Sequence, residues 1–589
     1  AMLTAAAAAR GQVQEAEIDV RDGILSHAGS GNRATFGELA GAAAEQPVPA
    51  DVLLKDPAGF RLIGTRLPRK DSREKTNGSA VFTHDLRLPG MLTACVAHPP
   101  LFGASVKSVD AGAAKRVAGV VAVVEIPTGV AVLARHTWGA LTARDALRIE
   151  WDEGGAFRLG SAEILNDYRK LADKPGALAR YEGDAATTMK AAARVITADY
   201  EFPFLAHAAM EPMDCVVQLK QDGCEIWNGE QMQTGDQAAV AAFLGIRPEQ
   251  VRINMLYAGG SFGRRANPKA DYVLEAVSIA RAYADADGDL VPVRMIWTRE
   301  DDMRAGWYRP LYLHRIHAGL DGGNKPVAWQ HRVVGQSIAA GTPFEGALVR
   351  DGVDQTSVEG AANLPYAIPN IRVDLQTTEL PVPVQWWRSV GSTHTAFVVE
   401  TFIDELASAA GQDPVAFRRA LLKDHPRHLG VLELAAQEAG WGKPLPAGRG
   451  RGVAVHESFN SYVAQVVEVT VDGDRFSVDR VVIAVDCGVA VNPDIVQAQM
   501  EGGMGYGLSA ALMSEITLSE GRVDQSNFHD YEVLRIGQMP GVEVHIVKSA
   551  EPPTGAGEPA TPVIAPAVAN ALHAATGQRF YRLPLKLKA

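Results

Sequence analysis

The sequence predicts an α+β protein of several domains, on three observations. Its 589 residues are more than one hydrophobic core organises. Val- and Ile-rich runs of strand length alternate with apolar runs of helical period, and Gly and Pro punctuate the joins. One local grammar, a strand, a glycine-containing loop and a helix, occurs in the middle of the chain and again from about residue 376 onward.

Apolar residues make up 47% and charged residues 21%, the composition of a soluble globular protein. The net charge of −12 comes without a basic stripe, so nucleic acid is a poor partner and the acidity reads as solubility. Cys95, Cys215, Cys224 and Cys487 match no metal-site spacing, are too few for a disulfide framework and read as buried thiols. Scattered in this way they hold no iron–sulfur cluster, so any cluster belongs to another chain. No apolar run reaches transmembrane length. The first ten residues, Ala1–Arg10, lack a charged stretch ahead of an apolar core, do not read as a signal peptide, and look like a helix already under way.

In order along the chain, residues 1–50 read as a helix, a strand over Glu17–Leu25, a turn at Ala28–Asn32 and a helix from Thr35, its N-cap, to Ala44. Residues 51–76, rich in Pro, Lys and Arg, are a linker. Residues 77–155 form a compact β-rich unit with strands at Met91–His98, Gly119–Ile126, Gly129–Ala134 and Leu147–Asp152, and short helices at Ala111–Val117 and Trp138–Ala146. Residues 156–375 form an α+β segment: strand Arg194–Phe202, a hairpin around Gln221–Gly223, a helix at Thr234–Leu244, strand Arg252–Leu256, and a long helix from Ala270 to Ala284. Residues 376–589 repeat the grammar, with a helix at Ala396–Ala410, strands Val453–Glu457, Tyr462–Val471 and Val481–Asp486, the helix Pro493–Met513 and a closing Ala-rich helix over Pro562–Ala575. The helix Pro493–Met513 carries Gly502, Gly503, Gly505 and Gly507; each disfavours helix by roughly 1 kcal/mol against Ala, which points to close packing there.

Three glycine loops lead toward helices: Gly259–Gly263, Arg388–Ser392 and Gly555–Glu558. Backbone N–H groups at such loops, with the helix dipole, hold anions. None is a Walker loop or a dinucleotide fingerprint. In the third, Glu558 lies between Gly557 and Pro559; the glycine permits close approach, the proline fits a first helical turn, and a carboxylate so held is placed as a general base.

Taken in order, these motifs carry a resemblance: Leu88-Pro-Gly-Met-Leu and Ala97-His-Pro-Pro100; His207-Ala-Ala-Met-Glu-Pro212; Gln231; Gly259-Gly-Ser-Phe-Gly263; Arg388 ahead of a helix holding Phe-Val-Val-Glu400; Val485-Asp-Cys-Gly488 through Asn492-Pro493 to Gln499-Met-Glu-Gly502; and Gly557-Glu558-Pro559. From about residue 50 to the end the chain resembles the molybdenum-binding large subunit of the xanthine dehydrogenase/aldehyde oxidase family, and within it the isoquinoline 1-oxidoreductase β subunits and related membrane-associated bacterial aldehyde dehydrogenases. The resemblance implies an α/β hammerhead domain at 77–155 and two tandem molybdopterin-binding α+β domains at 156–375 and 376–589. Residues 1–50 would be the C-terminal tail of a split molybdopterin-binding domain. The implied cofactor is molybdenum–molybdopterin cytosine dinucleotide, its metal held by the pterin dithiolene with no direct protein ligand. Cofactor-binding residues would be Gln231, Gly260, Ser261, Phe262, Gly263, Arg388, Ser389, Gln499 and Gly557. Glu558 would be the catalytic base, taking a proton so that a water-derived oxygen adds to an electron-poor carbon of an N-heterocycle or an aldehyde; the alternatives are an aldehyde dehydrogenase proper or a cofactor-carrying subunit without chemistry of its own. Electrons would leave to a small [2Fe–2S] subunit, and onward to a cytochrome as one option. The setting would be the cytoplasm or periplasm of a bacterium.

The chain departs from the family at four places. Ala266 and Leu205 stand where xanthine-type enzymes carry a glutamate and a glutamine, which makes a purine a poor substrate. No cysteine occurs in Gln385–Ser392, which disfavours carbon monoxide chemistry. Trp386 and Trp387 in that run are candidates to line an apolar substrate pocket, or else core residues. A further cofactor-contacting Gly-Gln-Gly segment of the family is absent from these residues, and the expectation is a separate N-terminal fragment that supplies it, or a truncated chain.

Overall fold

The computed structural model describes residues 1–52 and 54–588, Asp287 by its backbone alone. It divides into two units, Ala1–Gly64 and the chain from Thr65 onward.

In the first unit, helices Met2–Gly11 and Phe36–Ala44 flank a three-stranded antiparallel sheet. The single strand expected at Glu17–Leu25 is a hairpin, Ile18–Arg21 with Ile24–His27. Asp22 and Gly23 at its turn have φ of 50° and 80°, which reverses the chain in two residues with the twist strands prefer. Thr35 caps the second helix as expected: its hydroxyl accepts from the Glu38 N–H while Glu38 accepts from the Thr35 N–H. The stretch read as a linker holds a 3-10 turn, Pro57–Gly59, and a short helix, Ser72–Thr76; Leu53 within it lies outside the described residues.

Three sheets of four or more strands build the second unit, and among the described residues three two-stranded pairs accompany them. A seven-stranded sheet runs in the order Val251–Met255, Gly223–Asn228, Asp214–Lys220, Val293–Ile296, Leu92–Ala97, Gly129–Ala134, Val120–Ile126. The stretch 77–155 is therefore not a unit by itself, because Leu92–Ala97 pairs in parallel with Val293–Ile296 and continues the sheet of residues 214–296. Leu92, Ala94, Cys95 and Val96 are buried along successive positions, as for a strand covered on both faces. Ala111–Val117 shortens to a 3-10 turn, Ala114–Arg116, and the sequence reading passed over Ser105–Asp110, the strand that pairs with Arg148–Asp152.

The second sheet orders Arg194–Phe202, Tyr312–Leu320, Pro326–Gln336, Ile371–Thr378 and Ala177–Glu182; the third orders Arg449–Ser458, Ser461–Asp472, Arg475–Asp486 and Gly541–Ile546. One apolar core joins both, holding Trp329, Phe397, Phe402, Val467, Ile483 and Val568 together. The expected division at 375/376 thus falls inside the strand Ile371–Thr378 and within this core. Helix Ser392–Ala409 runs through it with 15 of its 18 residues buried. Glu400, on that helix, accepts from three donors: Arg418 Nε at 2.9 Å, the Val455 N–H at 2.9 Å and the Tyr366 hydroxyl at 2.5 Å. A buried carboxylate with both oxygens bonded and a guanidinium beside it fixes the helix against its neighbours.

The last helix, Thr561–Thr576, lies on strand Arg449–Ser458 at backbone contact, because Gly450 and Gly452 have no side chain to hold it away. A Cβ on Gly452 would stand 2.1 Å from Ala571 N and 2.3 Å from Ala567 O. All four cysteines are buried free thiols, and burial pushes Cys95 and Cys224 up to about 12. No helix among the described residues is long and apolar enough to cross a membrane.

Because the obstruction at Gly452 is backbone, Gly452→Ala should lower stability by about 1–3 kcal/mol or more, read as an earlier midpoint in urea unfolding.

Candidate active site

The centre of the site is the turn that feeds the buried helix. Ser389 and Val390 take left-handed backbone, φ 75° and 48°, and a β-branched residue in that region is strained by about 1–3 kcal/mol. Bonds from distant segments hold the turn. The Arg388 N–H donates to Phe262 O at 2.9 Å. The Ser389 N–H donates to Glu558 Oε1 at 2.8 Å and its hydroxyl to Glu558 O at 2.6 Å. The Gly391 and Ser392 N–H groups donate to Glu359 Oε1 at 2.7 and 3.2 Å. A Cβ on Gly391 would lie 1.8 Å from Thr356 O, so only glycine fits.

Arg388 reaches across to the third loop. Its Nε donates to Gly557 O at 3.0 Å, and its Nη2 donates to Gly557 O and, at 2.9 Å, to Gln499 Oε1. Burial pulls its pKa down, while Tyr506 and Glu558 act in the opposite direction; a guanidinium stays charged through such shifts. Glu558 is half-buried, with Oε1 taken by Ser389 and Oε2 without a hydrogen-bond partner among the described residues. The helix behind it begins at Thr561, so Pro562, not Pro559, occupies the first turn, and Gly557–Pro559 form the loop that precedes it. The Glu558 carbonyl accepts the Thr561 N–H at 2.9 Å. The loop is sewn down at its start too: the Val489 N–H donates to Glu551 O at 2.9 Å and the Thr554 N–H to Cys487 O at 3.0 Å.

The glycine-rich helix, Pro493–Leu512, explains two of its four glycines here. A Cβ on Gly503 would meet Thr561 Oγ1 at 3.2 Å and Arg388 Nη2 at 3.4 Å, and one on Gly507 would meet Thr561 O at 2.3 Å. Gly505 faces Met539, and Gly502 has nothing within 4 Å.

The first glycine loop closes the ring. Gly260, Phe262 and Gly263 have φ of 104°, 56° and 111°, and a Cβ on Gly263 would lie 2.4 Å from Trp386 O. The Phe262 ring stacks on Tyr506 at 4.2 Å, and Tyr506 stacks on Trp387 at 4.5 Å, so three rings tie three segments. Burial drops His207 to about 3, so its neutral ring donates from Nε2 to Trp386 O at 2.9 Å. Ser261 bonds to the Gln231 amide and accepts the Arg265 N–H at 3.0 Å; Gln231 itself is exposed.

The structure thus gathers Phe262, Gly263, Arg388, Ser389, Gln499, Gly557 and Glu558 into one bonded network, with Gly260, Ser261 and Gln231 along its edge. It decides between the two readings of Trp387: this ring is only 3% exposed, stacked on Tyr506 and donating to Ala206 O, a core residue, and Leu205 is buried in the same cluster. Trp386 is half-buried, edge-on to Phe344 at 5.4 Å. Sequence reasoning missed Glu359 and Tyr506. Nothing near Glu359 marks it; the one signal is that the buried N-terminus of helix Ser392–Ala409 needs an acceptor. Tyr506 sits among glycines whose period predicts packing, not stacking.

Chemically, the site offers a guanidinium, a glutamine amide whose Nε2 has no protein partner, strained backbone at two glycine loops, and one carboxylate oxygen left open. That donor set suits a large anionic organic cofactor and contains no cluster able to ligate a metal directly. The group of His84, Glu211 and Asp214 is different: Arg265 donates to Asp214 at 3.1 Å and to Glu211 at 3.0 Å and already neutralises it. A cavity of about 800 Å³ lined by His98, Glu275, Trp297 and Arg304 shares no residue with the Glu558 site.

A chain built in this way is a cofactor-binding enzyme subunit. Residues 171–422 and 415–540 each match the molybdopterin cofactor-binding domain; Glu558 lies beyond the second match. The chain is 32% identical to the isoquinoline 1-oxidoreductase subunit beta of Brevundimonas diminuta, over 99% of its own length and 80% of that protein. It is 30% identical to a membrane-bound aldehyde dehydrogenase of Gluconacetobacter polyoxogenes whose name includes pyrroloquinoline-quinone, over 91% of this chain and 73% of that one. Its fold matches quinoline 2-oxidoreductase from Pseudomonas putida 86 with a TM-score of 0.75 at 15% identity, covering 89% of this chain and 97% of the other. The chain belongs to the xanthine dehydrogenase/aldehyde oxidase family, as a molybdopterin-binding subunit.

Burial, against two N–H donors and with the Glu558 charge adding to it, raises Glu359 from its ordinary 4.5 to about 7. The folded chain then binds this proton more tightly than the unfolded chain, so stability from this group falls as pH rises from about 4.5 to about 7. Glu359→Gln keeps an acceptor for Gly391 and Ser392, and its melting temperature should decline less than that of the wild type between pH 5 and 8 by scanning calorimetry.

Proposed function

We propose that this chain is the subunit of a molybdenum hydroxylase that oxidises a carbon of an N-heteroaromatic ring or an aldehyde, with Glu558 as the base. The observation that carries the reading is the state of the Glu558 carboxylate: Oε1 is fixed by the Ser389 N–H, Oε2 is open, and the loop beneath is clamped by Arg388. Molybdenum–molybdopterin cytosine dinucleotide, when bound, supplies a two-electron redox centre and a water-derived oxygen. Gly260, Ser261, Phe262, Gly263, Arg388, Ser389, Gln499 and Gly557 are the residues to hold it, with Gln231 at the rim. The open amide of Gln499 and the backbone at Gly260 would donate to it, and Arg388 would offset its negative charge.

Glu558 takes the proton at Oε2 while the Ser389 N–H keeps the carboxylate from turning. The proton is the only species this side chain handles, so removing its basicity should spare binding and stop turnover. The half-buried Trp386 with Phe344 gives an aromatic wall that favours a flat heterocycle. Resemblance to a protein named as an aldehyde dehydrogenase keeps aldehydes as the second reading. The electrons pass to a partner subunit bearing [2Fe–2S] clusters, and from there to a cytochrome or another acceptor. A separate N-terminal fragment bringing the Gly-Gln-Gly segment is a further proposed partner.

Glu558→Gln should retain wild-type molybdenum and pterin content while dye-coupled turnover falls by about three orders of magnitude or more. Near-normal turnover would overturn the assignment. A screen of N-heterocycles against aldehydes with the same dye decides the substrate class.

A further inference from the structure

Arg309 is a buried charge that the chain leaves without a counter-charge. It is 3% exposed, and among the described residues no carboxylate lies within ion-pair reach of it. Other arginines buried as deeply each face an acid: Arg264 has Asp271 at 2.6 Å, Arg265 has Asp214 at 3.1 Å and Arg418 has Glu400 at 2.9 Å. Arg309 instead donates from Nη2 to Pro203 O at 2.7 Å and stands over the Phe202 ring, 5.8 Å from its centroid. The titratable groups around it are the phenols of Tyr531, Tyr312 and Tyr506. Burial pulls its pKa down to about 10, so it is charged at neutral pH. A buried charge held in this way is costly unless something offsets it.

A cavity of about 10 Å³, room for one water-sized sphere, lies beside it under the turn that carries Val390 and Gly391. Arg309 and His394 both line this cavity, and Arg309 Nε and His394 Nε2 are buried without a hydrogen-bond partner. An arginine Nε–H can only donate. Burial and the Arg309 charge keep the His394 ring neutral, and its Nδ1 faces His314 Nε2 at 2.9 Å. With His314 donating to that Nδ1, the His394 proton sits on Nε2 and makes a second donor. The acids closest in sequence to the lining residues are already engaged. Asp354 accepts from the Thr356 N–H and hydroxyl and from Ser337, and Glu359 accepts from the Gly391 and Ser392 N–H groups. His394 also lies in the first turn of helix Ser392–Ala409, whose positive end adds to the field of Arg309. Pro310, Ile338 and Trp387 make the rest of the wall apolar.

We propose that this cavity is a chloride site, in which one halide ion accepts from the Arg309 Nε–H and the His394 Nε2–H beneath the Trp386–Gly391 turn. Two donors, a surplus positive charge and an apolar wall suit a monovalent anion. A water molecule would accept the same two bonds, but it would turn its own O–H groups toward apolar side chains and leave the guanidinium uncompensated. The size of the space excludes carboxylates, phosphate and sulfate. Because Val390 and Gly391 line the cavity, the ion braces the left-handed turn from below. The site stands independently of the role given to Glu558.

Two measurements test this. The complete subunit is moved from sodium gluconate to sodium chloride at constant ionic strength, and its melting temperature is followed by scanning calorimetry. The melting temperature should rise by about 2 °C or more and level off as chloride increases, as for an ion that binds only the folded chain. Arg309→Met replaces the guanidinium with an apolar chain, and its melting temperature should be the same in both salts. Crystals grown with sodium bromide in place of chloride should show an anomalous bromide peak within hydrogen-bond reach of Arg309 Nε and His394 Nε2. Equal wild-type melting temperatures in the two salts overturn the site, and so does a chloride response retained in Arg309→Met. A cavity without the bromide peak overturns it as well, and a peak without the melting response marks binding at crystal concentration only. Should Arg309→Met fail to accumulate, the wild-type melting response and the bromide map together decide.

Discussion

The site depends on the strained turn Arg388–Gly391. Its left-handed Ser389 and Val390 persist because Glu558, Glu359 and Phe262 O each take an N–H that the turn presents. Neither end could hold it alone. The buried helix that follows gives the turn a fixed origin, and the helix is itself fixed by Glu400, bonded at both carboxylate oxygens. Strain at the turn is therefore borne by the core, and the Glu558 carboxylate inherits its position from residues of that core.

Glycine does two separate jobs around this turn. At Gly263 and Gly391 the absent side chain admits another segment's carbonyl at a distance no Cβ allows. At Gly507, Gly450 and Gly452 it lets a helix lie against backbone, and at Gly503 it leaves room for the Arg388 guanidinium and the Thr561 hydroxyl, which brings Arg388 and the Glu558 loop within reach of each other. The helix-weakening glycines of Pro493–Leu512 and the approach of Arg388 to Gly557 are two views of one packing requirement.

Much of this was legible from residues alone. Strand Gly129–Ala134, strand Arg194–Phe202 and the Thr35 cap sit where hydrophobic pattern and capping chemistry place them. Neighbours were not legible. Nothing in Leu92–Ala97 says that Val293–Ile296 will pair with it, because both read only as buried strands and pairing partners are set by the whole fold. The same holds for the site. Arg388, Gln499 and Glu558 lie in recognisable motifs, whereas Glu359 answers a need created by a helix end in three dimensions, and Trp387 is withdrawn from the pocket by a ring, Tyr506, more than a hundred residues away.

The bonds that position Glu558 bear on how the chain reaches this state. Ser389 and Arg388 grip the Gly557–Glu558 peptide across a sequence separation of 169 residues. Contacts so distant form late, after local helices and hairpins, because loop closure must precede them. No fragment of the chain holds Glu558 in this position, and the appearance of these bonds during refolding is a readout of completion of the whole second unit.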